Sequence, residues 1–109
     1  MSEPLAPWRG GCAGRVGNGH CGGRVEFAGL AYFEQTKQAW LAFTCADHRG
    51  QLIASRPLTE ADRAEIARRL EAHRRVVEDH EPFVKPEPLA RGRAARELVE
   101  RAKRWAGRV

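Results

Sequence analysis

Three cysteines and two of the four histidines lie in the first half of the chain, and these metal-binding side chains constrain the fold most. A chain of 109 residues buries only a small core, so a metal or a cross-link would supply a large share of its folding free energy. Three thiolates and one imidazole are donors that tetrahedral Zn²⁺ prefers in structural sites. We therefore expect structural Zn²⁺ on Cys12, Cys21, Cys45 and His48, with His20 as a substitute ligand.

The two halves of this predicted site differ in the spacing of their ligands. Cys45 and His48 are separated by two residues, so a single turn can present both donors. Cys12 and Cys21 are separated by eight residues rich in glycine, which disfavours a helix or a regular strand. We expect residues 12–23 to form a loop that carries ligands.

Other interpretations of the cysteines compete with a structural zinc site. A disulfide would leave one cysteine unpaired, and the N-terminal sequence lacks the apolar core of a secretion signal, so we expect a reducing, cytoplasmic environment. Alternatively, the cysteines have no ligand role. Catalytic zinc would need an open coordination position and a general base, and a Cys45–His48 nucleophile pair would need Cys45 free of metal. The chain has no HExxH motif, and we expect no enzymatic activity. The general base of such a catalytic zinc site would be Glu26, Glu34 or Asp47.

Two segments rich in aromatic and β-favouring residues follow the loop, and their pattern predicts an antiparallel β-hairpin. They are Arg24–Phe33 and Gln38–Cys45, joined by polar residues. Both faces of the predicted hairpin carry apolar side chains, with Trp40 and Phe43 as core residues on opposite faces. Another element must therefore cover at least one face.

A helix is predicted from Thr59 to about His80. Thr59 and Asp62 have the spacing of a capping box, which marks the helix start. Apolar residues and two histidines form one narrow stripe, and we expect this helix to cover the hairpin. His73 and His80 are two turns apart, too far to chelate one ion, so we interpret them as packed at the domain edge. The stripe comprises Ile66, Leu70, His73, Val77 and His80.

Pro82, Pro86 and Pro88 predict an extended connector after this helix. A second helix is predicted from about Ala90 to Ala106. The predicted fold class is therefore α+β, with a zinc-stapled β-hairpin packed on one helix, a proline connector and a basic C-terminal helix. The predicted parts are a zinc-hairpin plus helix domain at 1–80, a proline-rich connector at 81–88 and a basic amphipathic helix at 89–109.

The positive charge is concentrated at the C-terminal end. Residues 91–109 hold seven basic and two acidic side chains, and the formal net charge of the whole chain is +5. A basic segment of this kind can neutralise phosphates, so we expect a nucleic-acid-associated regulator or accessory factor. A solvated helix face without a partner is the competing interpretation. The residues predicted to contact nucleic acid are Arg91, Arg93, Arg96, Arg101, Lys103, Arg104 and Arg108, with Arg15, Arg24 and Arg49 as further candidates.

A protein-interaction adaptor is the alternative function. Leu98, Ala102 and Trp105 form an apolar stripe on the second predicted helix, and this stripe would dock on an acidic protein partner or on a second copy of the chain. No uncharged stretch approaches the length of a membrane-spanning helix, so we expect no membrane partner.

The segment from Cys12 to about Gly50 resembles the small bacterial zinc-ribbon and zinc-knuckle proteins. The similarity consists of a glycine-flanked cysteine pair, a predicted hairpin and the sequence TCADH at the end of its second strand. The resemblance implies a structural metal at the base of a β-hairpin, and binding of nucleic acid or protein rather than catalysis. The interval between Cys12 and Cys21 departs from the two-residue spacing usual in that group.

Overall fold

An antiparallel sheet with α2 packed on one face forms the centre of the computed structural model, which describes residues 10–17 and 19–106. The elements in chain order are β1 (Arg15–Val16), β2 (Gly19–His20), β3 (Phe27–Phe33), β4 (Gln38–Thr44), a 3-10 helix (Ala46–Gln51), β5 (Ile53–Pro57), α1 (Glu60–Glu78), β6 (Ala90–Arg91) and α2 (Gly92–Ala106). The four-stranded sheet has the order β5-β3-β4-β6, while β1 pairs with β2. The predicted α+β class is confirmed.

The predicted hairpin is present and consists of β3 and β4 joined by a short turn. Its register pairs Phe27 with Thr44 at the end distant from the turn. β3 begins at Phe27 rather than at Arg24, and β4 ends one residue before Cys45. This end of the hairpin therefore leads directly into two of the predicted ligands.

Two strands that were not predicted extend the hairpin, one along each edge. β6 pairs with β4, and β5 pairs with β3 through a bulge at Gly29. A Cβ atom on Gly29 would lie 2.9 Å from the Ile53 carbonyl oxygen, so glycine lets β5 approach the hairpin. The sequence pattern for β5 is weak because Ile53–Pro57 is short and ends in proline. The strand is also irregular, since Ala54 has a φ of 54°.

The core lies between the sheet and α2. Ala39 of β4 is buried with Ala95 and Val99 of α2. Ala39 and Ala95 are both fully buried, and their small side chains let the helix lie close to the sheet. The helix that forms the core with the sheet is therefore α2, whereas the sequence predicted the helix after Thr59 as the cover. Four half-buried apolar residues surround this core: Tyr32, Ile53, Ala90 and Leu98.

α1 contacts the same face of the sheet but leaves much of its apolar stripe exposed. The Arg69 guanidinium donates to the Leu41 carbonyl at 3.2 Å and lies 5.1 Å from the centroid of the buried Phe43 ring. Leu70 and Val77 are 41% and 56% exposed, so the stripe does not form a second core. In the described part of the chain, neither helix combines the length and the apolar character needed to cross a membrane.

The start of α1 carries the predicted capping box. The Thr59 hydroxyl accepts a hydrogen bond from the Asp62 amide at 3.2 Å, and the Thr59 amide donates to the Asp62 carboxylate at 2.8 Å. Arg56 of β5 forms an ion pair with the same carboxylate, which is buried. Asp62 therefore ties the first turn of α1 to an edge strand. The helix ends at Glu78, so that His80 lies outside it.

We expect stability to depend on the ionisation of Asp62. The hydrogen bond from Arg56, together with those from Thr59, lowers the pKa of Asp62 to about 2, against the opposing effect of desolvation. Because the folded-state pKa is lower than the unfolded one, the ionised carboxylate stabilises the fold by about 2 kcal/mol above pH 4, and this is lost as the pH falls towards 2. Asp62→Asn should therefore lower the free energy of unfolding at neutral pH, measured by urea denaturation.

The matched control for Asp62→Asn is Glu60→Gln, which changes an exposed carboxylate in the same helical turn. We expect the difference between wild type and Asp62→Asn to shrink as the pH is lowered, while Glu60→Gln has little effect at any pH. A difference that stays constant between neutral pH and pH 2 would contradict this role of the carboxylate.

The chain between α1 and β6, which contains the three prolines, has neither helix nor strand. It returns to the sheet, where the Leu89 amide donates to the Ala39 carbonyl at 2.8 Å and the Gly92 amide donates to the Lys37 carbonyl at 2.7 Å. These hydrogen bonds place the start of α2 beside the sheet. The division into parts at 1–80, 81–88 and 89–109 stays a prediction.

Candidate metal centre

Four of the predicted donors converge at the open end of the hairpin. The ligand atoms of Cys12, Cys21, Cys45 and His48 all lie within 4.8 Å of one another. His48 Nδ1 lies 3.2 Å from Cys45 Sγ and 3.6 Å from Cys12 Sγ, and Cys21 Sγ lies 4.0 Å from Cys45 Sγ. The bond lengths of a tetrahedral zinc site require about 3.8 Å between sulfurs and about 3.5 Å between sulfur and nitrogen. The cluster therefore has the dimensions to hold one metal ion.

Cys45 and His48 are brought together by the 3-10 helix that follows β4. Cys45 is the residue that immediately precedes this helix, and the His48 amide donates to the Cys45 carbonyl at 3.3 Å. In a 3-10 turn, side chains three residues apart lie on the same side. The two-residue spacing thus places both donors over one turn, as predicted.

Cys12 and Cys21 are brought together by the small hairpin of β1 and β2. Its pairs are Arg15 with His20 and Val16 with Gly19. At its base the Cys12 amide donates to the Gly23 carbonyl at 2.9 Å, and the Gly22 amide donates to the Cys12 carbonyl at 3.1 Å. The segment predicted as a loop that carries ligands thus contains two short strands that were not predicted. The eight-residue interval closes as a miniature antiparallel ladder. The residues at the base of that ladder are Cys12, Gly22 and Gly23.

Backbone and side-chain hydrogen bonds hold this small hairpin against the sheet. The Ala13 amide donates to the Phe43 carbonyl of β4 at 2.9 Å. The Gln51 side chain accepts from the Arg15 amide at 2.8 Å and donates to the Arg15 carbonyl at 3.3 Å. Gln51 was not predicted from the sequence, because one glutamine after a turn forms no recognisable motif. The side-chain amide of Gln51 bonds the Arg15 backbone as a neighbouring strand would, although Gln51 is not in a strand.

The thiols lie in unequal surroundings. Burial raises the pKa of Cys12, whose sulfur accepts from the Gly14 amide at 3.2 Å. Desolvation also acts to raise the pKa of Cys45, but hydrogen bonds from the His48 ring, the Cys12 thiol and nearby backbone amides outweigh it and lower that pKa to about 7. Thiolates rather than thiols bind metal, so the lowered pKa of Cys45 favours metal binding near neutral pH.

Gly14 makes room for the histidine ligand. A Cβ atom on Gly14 would lie 2.5 Å from both Cβ and Cγ of His48, which is closer than atoms can approach. The Gly14 backbone has little freedom to withdraw, because its amide donates to Cys12 Sγ and its carbonyl accepts from the Cys21 amide at 2.9 Å. The glycine is thus a positioning residue for His48.

His20 and Glu34 lie outside the cluster. His20 is exposed, and its Nδ1 contacts the Ala13 carbonyl at 3.1 Å rather than the four donors. All three cysteines carry free thiols. Glu34 lies in the turn at the other end of the hairpin, where it pairs with Lys37. The cluster among the described residues consists of the first-choice ligand set.

The basic residues predicted to bind nucleic acid are spread over four elements and the segment before β3. Arg93, Arg96, Arg101 and Arg104 line one outward surface of α2 together with Glu97 and Glu100, and we call these six residues the basic surface of α2. Lys103 is exposed, and Arg91 pairs with Glu87. Arg49 lies 4.0 Å from the centroid of the Phe27 ring, Arg15 is in β1 and Arg24 is exposed before β3. Arg108 lies outside the described residues.

The apolar stripe predicted for partner docking is largely used within the chain. Leu98 packs against the core, and Ala102 is half-buried. Trp105 is 65% exposed. Of these three residues, Trp105 alone presents most of its side chain to solvent.

Comparisons with protein-family models, with curated proteins and with solved structures found no match for this chain.

Proposed function

We propose that Cys12, Cys21, Cys45 and His48 bind a structural Zn²⁺ ion. Three sulfurs and an imidazole nitrogen at tetrahedral separations support zinc over oxygen-preferring cations. Four protein donors complete a tetrahedral shell without water, which is the arrangement of a structural rather than a catalytic site. The ion would fasten the β1–β2 hairpin to the end of β4.

We further propose that the metal-stabilised fold is a nucleic-acid-associated accessory factor, and that the basic surface of α2 contacts phosphates. The observation that carries this proposal is a contrast in ion pairing between the two helices. Within the described residues, acidic side chains on α1 or at its C-cap pair with four of the five arginines of that helix, all except Arg63. Arg68 and Arg69 pair with Glu65, Arg74 with Glu71, Glu78 and Asp79, and Arg75 with Glu71.

The arginines of α2 are left without such partners. Arg93, Arg101 and Arg104 form no ion pair within the part of the chain that the structure describes. They span about 16 Å of helix, on the side opposite the buried Ala95 and Val99. Unpaired guanidinium groups in a row attract a polyanion, and release of its counterions drives binding.

Replacement of the unpaired arginines should weaken binding to nucleic acid. We expect Arg101→Ala together with Arg104→Ala to reduce affinity roughly tenfold and to lower the slope of log affinity against log salt by about 0.9 for each lost phosphate contact. Fluorescence anisotropy of labelled DNA and RNA oligonucleotides over a salt series measures both quantities.

The matched control is Arg68→Ala together with Arg74→Ala, which removes two arginines that are already paired with acidic residues on α1. This variant should retain wild-type affinity and salt dependence. Binding without salt dependence, or an unchanged affinity in the Arg101 and Arg104 variant, would refute phosphate binding by α2.

The alternative, an adaptor that docks through Leu98, Ala102 and Trp105, has less support. Leu98 already packs on the chain's own sheet, so its apolar area is not free for a partner. The exposure of Trp105 favours a contact with a partner at this end of α2.

A further inference from the structure

Trp105 is an exposed indole beside unpaired guanidinium groups. It lies in the last turn of α2 and is 65% exposed. Arg104 precedes it in the chain, and Arg101 lies one helical turn before it. Helical side chains lean towards the N-terminus, so the indole lies over the turn that carries Arg101. The indole therefore lies next to Arg101, and Arg104 lies on the adjoining side of the same helical turn.

We propose that this end of α2 binds single-stranded nucleic acid, with a base stacked on Trp105 and adjacent phosphates on Arg101 and Arg104. The inference rests on the proposed function and adds the class of nucleic acid. Aromatic side chains supply affinity for single strands by stacking on bases, and a positively charged surface follows the backbone. Arginine next to an aromatic ring is the combination that such surfaces use.

The preference for single strands follows from the geometry of stacking. In a duplex both faces of each internal base are covered by its neighbours, so an indole on a surface helix cannot reach them without unstacking the helix. A single strand offers unstacked bases at no such cost. The guanidinium groups attract both forms, whereas Trp105 adds affinity for the single strand alone.

Trp105 has little role in holding the fold. The residues of α2 that are buried with the sheet are Ala95 and Val99, whereas Trp105 lies two turns or so further along and is mostly solvated. Replacement of Trp105 should therefore leave the thermal midpoint nearly unchanged. This separates a binding defect from a folding defect.

The test compares a poly-dT oligonucleotide, a poly-U oligonucleotide and a DNA duplex of the same length, using the full-length, zinc-loaded protein. Trp105→Ala should weaken binding to both single strands about 5- to 100-fold and leave duplex binding unchanged. Trp105→Phe should keep most of the affinity, since a phenyl ring also stacks. Phe33→Ala, which removes another exposed aromatic ring on β3, is the matched control and should bind as wild type.

Intrinsic fluorescence gives a second readout. The chain has three tryptophans, and poly-dT should quench a signal that is lost in Trp105→Phe and retained in Trp40→Phe. Equal weakening of single-strand and duplex binding in Trp105→Ala, or no weakening of either, would overturn the stacking role while leaving phosphate binding in place. Failure of every oligonucleotide to bind would overturn the proposed function as well. Self-association of the chain that Trp105→Ala abolishes, without any oligonucleotide effect, would assign Trp105 to a protein interface instead.

Discussion

We expect removal of bound zinc by a chelator to unfold the segment from Cys12 to Gln51. Structural zinc contributes about 10–16 kcal/mol in small zinc-binding peptides, whereas a small domain is stable by only about 5–15 kcal/mol in total. The metal would hold the β1–β2 hairpin, which has few buried side chains besides Cys12. Hydrogen exchange should show loss of protection in this segment and a fall in the thermal midpoint, and metal analysis should find one zinc per chain.

The cysteine and histidine variants offer a matched pair for this prediction. Cys45→Ser removes a predicted ligand, and we expect it to lose the metal and to show the chelated behaviour. His20 is the neighbour of Cys21 in the chain but lies outside the cluster. His20→Ala should therefore retain zinc and the wild-type midpoint. Protein that contains no metal, or an unchanged midpoint and unchanged hairpin protection after chelation, would contradict a structural zinc site.

Gly14→Ala should displace His48 and weaken metal binding by about 10- to 100-fold. The new methyl group would lie 2.5 Å from two atoms of His48, and Gly14 itself is held by hydrogen bonds to Cys12 and Cys21. The imidazole must therefore move, which carries Nδ1 away from the three sulfurs. Competition between the protein and a zinc indicator measures the loss directly.

Gly19→Ala is the control for the glycine variant. Gly19 lies in the same small hairpin, but a Cβ atom there meets nothing within 4 Å. Its zinc affinity should equal that of the wild type. Equal affinities for Gly14→Ala and wild type would show that His48 does not need the space that Gly14 leaves.

Features that depend on neighbouring residues in the chain could be predicted from the sequence. The Thr59 and Asp62 capping box and the two-residue spacing of Cys45 and His48 are each contained within a single turn, so local geometry determines them. The alternating aromatic pattern likewise predicts the β3–β4 hairpin. In each case one segment contains all the interacting groups.

The choice between two amphipathic helices as cover for the sheet could not be predicted in this way. Both helices have an apolar stripe, and periodicity does not say which stripe fits a given sheet face. The outcome depends on Ala39 and Ala95, which are distant in sequence and form a close contact only when the chain returns past its prolines. α1 presents Leu70 and Val77 instead, and these side chains stay largely exposed.

The residues of the candidate metal centre were predicted from the sequence. The strands and hydrogen bonds that hold them in place were not. The chemistry of thiols and imidazole identifies the donors, whereas the closure of the interval between Cys12 and Cys21 needs β1, β2 and the amide of Gln51. Two-residue strands and a single side-chain bridge have no sequence pattern. Gly14 belongs to the same category, since its importance follows from the position of His48.

The position of the helical cover has a consequence for synthesis on the ribosome. All four predicted ligands precede Gly50, whereas the helix that buries Ala39 begins at Gly92. The ligands therefore leave the exit tunnel well before α2, because chains emerge from the N-terminus onwards. Zinc captured at that moment would hold the nascent hairpin in register while its apolar face still awaits the helix, and so protect an edge that could otherwise pair with another chain.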